Sequence, residues 1–84
     1  MKIYDFNGKK NIAGLRIREA RLKRRLSQVE LAAKMQLHGI MIEQNCISRL
    51  EAGTRFIPDY ELSAYAEVLK VSVEWLLGLT ELEK

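Results

Sequence analysis

The sequence predicts an all-α fold of five helices in a single domain. Three observations carry that prediction. Turn signals are sparse, with one proline and five glycines in 84 residues. The segments between them repeat their apolar residues at helical spacing and do not alternate. Several of these segments are preceded by Asn, Ser or Asp, whose side-chain oxygen can accept from the free amides of a first helical turn. No internal repeat, low-complexity tract or Pro/Gly/Ser linker divides the chain.

Asn11 is placed to cap a first helix over 12–25, with Ile12, Ala13, Ile17 and Ala20 as its apolar stripe and Arg16, Arg18, Lys23 and Arg24 facing elsewhere. Leu26 ends it. SQVE at 27–30 is a capping box, Ser27 accepting from the Glu30 amide while the Glu30 carboxylate reaches back. It opens a short second helix over 28–35, with Leu31, Ala32 and Met35 on one side. Gly39 suits a turn with positive φ. A third helix starts between residues 42 and 44, runs to about 52 and is stopped by Gly53. Asp59, after Pro58, can cap a fourth helix through 70, with Leu62, Ala66 and Leu69 inward. Ser72 caps a short fifth, in which Val73, Leu76 and Leu77 pack inward and Trp75 covers one end of the core. Tyr60 and Tyr65 belong to the core rim or to a dimer surface.

At 84 residues, 48% hydrophobic and 30% charged, the composition fits one folded domain with a small core. No apolar run reaches the roughly 20 residues of a bilayer crossing, and MKIYDFNGKK lacks the apolar core of a signal peptide. A single cysteine, Cys46, cannot form an internal disulfide, which agrees with a reducing cytoplasm. His38 and Cys46 are isolated from any CxxC or HxxxH pairing, so neither a metal site nor a cofactor is expected, and Cys46 reads as a small residue filling a helix position. One histidine supports no Ser/His/Asp arrangement, and no Gly-rich phosphate loop is present. An enzyme is therefore rejected. The net charge of +3 hides an asymmetry: up to Arg55 there are 12 Lys or Arg against five Asp or Glu, and from Phe56 onward two against six. A basic first part fits a polyanionic partner; an ordinary dipolar surface is the other reading.

The motifs sharpen that choice. LSQVELAAKM followed by NCISRLEAG resembles the helix-turn-helix of the lambda-repressor/Cro-like (XRE) family, over about residues 12–77, including the Ile57–Pro58–Asp59 link and the final VSVEWLL. The resemblance implies a lambda-repressor-like DNA-binding domain over 11–79, preceded by an N-terminal arm (1–10) and followed by a short tail (80–84). It implies double-stranded DNA as partner, bound by a homodimer on a near-palindromic operator, with no membrane and no small-molecule ligand. The localisation implied is cytoplasmic, nucleoid-associated when bound.

In that family the third helix enters the major groove, where base edges present distinct donor and acceptor patterns. The residues that the resemblance places there are Glu43, Gln44, Asn45, Ser48 and Arg49, with Ile47 and Leu50 anchoring the helix from behind. Glu43 can accept from cytosine or cap the helix, and capping is the preferred reading. Gln28 would hold a DNA phosphate and brace the reading helix. Thr54 and Arg55 would lie near the duplex backbone, a solvated charge being the other reading of Arg55. Lys9 and Lys10 read as solubilising more than as a phosphate-binding arm. Arg21 and Glu51 match an ion pair that joins the first helix to the end of the third, and are assigned to architecture. One departure stands out. Fifteen residues separate Leu31 from Ile47, about five more than usual for this motif, and Ile40 or Ile42 is expected to cover the lengthened turn. The expected function is a transcriptional regulator, a repressor by preference. The alternative is a protein-interaction module of the same fold, an antitoxin or adaptor with weak or no DNA binding.

Overall fold

The structure, a computed structural model, describes residues 6–84; residues 1–5, the first half of the expected arm, lie outside the described residues. Among the described residues five helices follow one another: α1 (Gly14–Lys23), α2 (Gln28–Leu37), α3 (Gln44–Glu51), α4 (Asp59–Leu69) and α5 (Val73–Leu76). Among the described residues the only extended pairing is an isolated bridge between Phe6 and Lys9. The fold is all-α, as the helical periodicity predicts.

Helix starts follow the local chemistry with three corrections. The capping box at α2 is complete, the Glu30 amide donating to Ser27 Oγ at 3.0 Å and the Ser27 amide to Glu30 Oε1 at 2.7 Å. Ser27→Ala at such a cap typically costs about 1 kcal/mol. Ser72 accepts from the Trp75 amide at the head of α5. The first correction is in α1, which begins at Gly14, two residues later than the periodicity suggests. Asn11 still accepts from the Gly14 amide at 2.8 Å, but Ile12 is exposed and the buried face is Ala13, Gly14, Ile17, Ala20 and Arg21. The second is at α4, where Pro58 holds the cap position and Asp59 is the first helical residue, with no side-chain capping bond. A carboxylate there still meets the positive end of the helix dipole. The third is Glu43, which stands at the N-cap of α3 without a side-chain capping bond.

All five helices stop in the same way. A residue with left-handed backbone (Arg25, Gly39, Gly53, Lys70 and Gly78) follows each last turn, and the next amide reaches back to close it: Leu26 to the Arg21 carbonyl, Ile40 to Met35, Thr54 to Arg49, Val71 to Ala66 and Leu79 to Glu74. This is the Schellman arrangement. At Arg25 and Lys70 it holds a side chain in a conformation that glycine adopts more readily.

The core gathers Ile17, Leu31, Met35, Ile47, Leu50, Tyr65, Leu69 and Leu76, all fully buried. Burying one such aliphatic side chain contributes about 1.5–3 kcal/mol. Alanines at 13, 20 and 32 lie between them and let the helices approach. Tyr65, expected at a rim or interface, lies inside this core, and its hydroxyl has no hydrogen-bond partner among the described residues. Burial first, and Glu61 nearby second, push its phenol well above the ordinary tyrosine range. Tyr60 is exposed. Trp75 is buried beneath Arg16, whose guanidinium stacks 4.7 Å from the ring and donates to the carbonyls of Trp75 and Thr80.

The extra length between the second and third helices is absorbed in two ways. α2 runs two residues past its expected end to Leu37, and the connection 38–43 is pinned to it. Gln36 donates to the Ile42 carbonyl at 2.8 Å, Ile42 is buried and Ile40 is half-buried. Residues 80–84 lie along the first helix. Glu81 meets Arg16, Glu83 pairs with Lys23 at 2.6 Å, and the Glu83 carbonyl accepts from the Ser72 amide.

Candidate nucleic-acid interface

α3 has only eight residues, and its two faces are sharply divided. Ile47 and Leu50, three apart, are fully buried, and Glu51 turns inward beside them. Gln44, Asn45, Ser48, Arg49 and the following Ala52 are all exposed. At 100° per residue these five positions share a face about 140° wide. Ala52 was not singled out by the sequence motifs; its place on this face follows only from where Ile47 and Leu50 point.

The side chains on that face fall into two groups. Asn45, Ser48 and Arg49 are exposed, and among the described residues their side chains have no hydrogen-bond or ion-pair partner; Glu43, just ahead of the helix, is likewise exposed. Gln44 is engaged. Its amide nitrogen donates to Gln28 Oε1, and Gln28 Nε2 in turn donates to Glu51 Oε1 at 3.1 Å. The N-termini of α2 and α3 are thereby joined side chain to side chain.

Glu51 is the inner end of this relay. Arg21 grips its carboxylate with two parallel bonds, Nε to Oε2 at 2.7 Å and Nη2 to Oε1 at 2.9 Å. The third Arg21 nitrogen donates to the Leu26 carbonyl at 2.8 Å, in the closing turn of α1. The two side chains are 8% and 4% exposed. Leaving either charge alone at such burial costs about 3–5 kcal/mol. Hydrogen bonding to Glu51 holds the Arg21 guanidinium still more firmly protonated than usual, against the opposing effect of burial.

The other end of α3 is fixed by a residue whose sequence context predicts only a helix cap. Asn11 Nδ2 donates to the carbonyls of Leu50 at 3.0 Å and Arg55 at 2.8 Å, while its oxygen caps α1. Gly14 lies against the same place: a Cβ there would run into the Leu50 carbonyl oxygen. Lys9 Nζ reaches the Ala52 carbonyl, and the Lys10 amide donates to the Gly53 carbonyl at 2.8 Å. Residues 9–14 thus form a collar around the C-terminal end of α3, and glycine at 14 is what allows the approach.

Thr54 and Arg55 are bonded inward. The Thr54 hydroxyl donates to the Arg49 carbonyl. Arg55 meets Glu61 through both terminal guanidinium nitrogens, Nη1 and Nη2, at 2.8 and 3.1 Å, and the Glu61 side chain is only 4% exposed. That bonding raises the arginine's affinity for its proton further. Glu61, on α4, had no signal in the sequence beyond helical spacing. Cys46 is half-buried, and no His/Cys/Asp/Glu group able to hold a metal occurs among the described residues. Nor is any described helix long and apolar enough to cross a membrane.

A family model described as helix-turn-helix matches residues 17–76. No curated protein and no solved structure matches the chain.

Proposed function

The chain belongs to the XRE-type helix-turn-helix family of DNA-binding regulators, and from that premise we propose that it is a sequence-specific transcriptional repressor whose α3 reads an operator in the major groove. The observation that carries this reading is the exposed face of α3. Asn45, Ser48 and Arg49 stand there with unengaged donors and acceptors, while Ile47 and Leu50 tie the helix to the core. Asn can bond bidentately to adenine and Arg to guanine or to a phosphate, Ser can bond either kind of base edge, and the Ala52 methyl suits a thymine methyl.

Gln28 and Gln44 act as a pair in this scheme. Gln28 sets the side-chain direction of Gln44 and offers its remaining hydrogen-bonding capacity to a phosphate. Thr54 lies near the duplex backbone, and Arg55 steadies the turn between α3 and α4 from behind. Glu43, with no capping bond, is free to accept from a cytosine amino group. Two copies of the chain would present two such helices about 34 Å apart, one turn of B-DNA, on a near-palindromic site. The protein would work in the cytoplasm, at the nucleoid.

The test is selection from random-sequence duplex at two salt concentrations, with wild type and Asn45→Ala side by side. The expected result is an enriched near-palindrome, with Asn45→Ala losing about 1–3 kcal/mol of discrimination at one position per half-site. If no sequence is enriched and binding is weak and purely salt-driven, this reading fails. The interaction-module reading then takes its place, with the exposed Leu79 and Leu82 as its first surface to probe.

A further inference from the structure

We propose that Arg18 is an additional phosphate-binding residue of the DNA interface, acting beside Gln28; the assignment rests on the DNA-reading role of α3. Arg18 stands one turn before Arg21 on α1, so the two guanidiniums share a face turned towards Glu51. They do not share it equally. Arg21 occupies both carboxylate oxygens, and Gln28 Nε2 adds a third bond to the carboxylate, at Oε1. Arg18 Nε is left 4.0 Å from Oε1, beyond hydrogen-bonding distance, with its side chain 56% exposed against 8% for Arg21. One buried negative charge therefore faces two positive ones, and the surplus charge sits at the surface on Arg18.

The position of that surplus gives it a use. Arg18 Nε and Gln28 Nε2 lie 4.0 and 3.1 Å from the same Glu51 oxygen, so the two side chains converge on one carboxylate, and Gln28 links that point to Gln44 at the head of α3. The other cations of α1 are committed. Arg16 is held by Trp75, Thr80 and Glu81, Arg21 by Glu51 and Leu26, and Lys23 by Glu83. Arg18 makes no hydrogen bond among the described residues. A guanidinium with its fork free, beside a glutamine amide, matches the oxygens of a phosphodiester, which it can bind with paired, charge-assisted bonds.

The experiment is the salt dependence of binding by the full chain to its selected operator and to random duplex. Wild type, Arg18→Gln, Arg18→Lys and, as a control on the Trp75 side of α1, Arg16→Gln would be compared. Loss of one phosphate contact reduces the slope of log K against log salt by about 0.9. Arg18→Gln should therefore weaken both duplexes alike and lose about threefold less affinity than wild type over a fourfold rise in salt. Arg18→Lys should restore most of the slope, and Arg16→Gln should leave it unchanged. The melting temperature of Arg18→Gln should match wild type, because an exposed pair at this distance adds little to stability. A wild-type slope in Arg18→Gln, or a loss confined to one operator base pair, overturns the assignment while the reading role of α3 stands. A wild type that prefers no sequence overturns both.

Discussion

The Gln44 amide donates to the side-chain oxygen of Gln28, sixteen residues earlier in the chain, so the first residue of α3 is aimed by the first residue of α2. Only one of the two is also tied to the buried Glu51, and this makes their removal unequal. Gln28→Ala should lower stability by about 1 kcal/mol, through the lost bond to a buried carboxylate, and should weaken binding to all duplexes. Gln44→Ala should leave stability unchanged. Urea denaturation of the two variants separates them, and equal destabilisation would mean that the relay does not run inward through Gln28.

Arg55→Ala strands the Glu61 carboxylate in the interior. The expected cost is about 3 kcal/mol or more, read as a fall in melting temperature. Below that temperature, the salt dependence of DNA binding should match wild type, because the guanidinium is already held by Glu61. A reduced slope would instead make Arg55 a phosphate contact.

Gly14→Ala sets two effects against each other. Helix propensity alone favours alanine by about 1 kcal/mol. The new methyl, however, meets the Leu50 carbonyl, a backbone atom that cannot step aside without moving the end of α3. We expect a net loss of stability in urea together with weaker operator binding. A more stable variant would contradict the close approach of α1 to α3.

Glu30 gives the pH prediction. Hydrogen bonds from Ser27, first from its backbone amide and then from its hydroxyl, hold the Glu30 carboxyl below its ordinary range. A depressed carboxylate contributes stability above its unfolded pKa and loses it as pH falls through the lower folded value. Glu30→Ala should thus melt below wild type at pH 7, and the gap should narrow towards pH 3. A gap independent of pH would show that the carboxylate's charge has no part in the cap.

What could be read from the sequence were the features whose causes are local. The Ser27–Glu30 box, the Ser72 cap, the positive-φ turn at Gly39 and the glycine stop at 53 each depend on neighbours within a few positions. Ile47 and Leu50 were legible because a spacing of three defines a helix face. The failures share the opposite property. Asn11 reads as a cap, yet its amide group is shared with Leu50 and Arg55, 39 and 44 residues away. Arg55 finds Glu61 across a turn whose direction no propensity sets, and Tyr65 is buried because α4 meets the core along a wider face than Leu62, Ala66 and Leu69 define. The Arg21–Glu51 pair was expected from family resemblance and not from spacing. Its partners lie 30 residues apart.

The pinning of α3 at both ends, by Gln28 at Gln44 and by Asn11 at Leu50, also bears on the thermodynamics of recognition. A reading element that must fold on contact surrenders conformational entropy at that moment, and its binding carries the large negative heat-capacity change of coupled folding. Here the proposed reading helix is already formed and bonded at both ends within the chain itself. Calorimetry of operator binding should register the apolar surface buried at the contact and no folding increment beyond it, the signature of a rigid key.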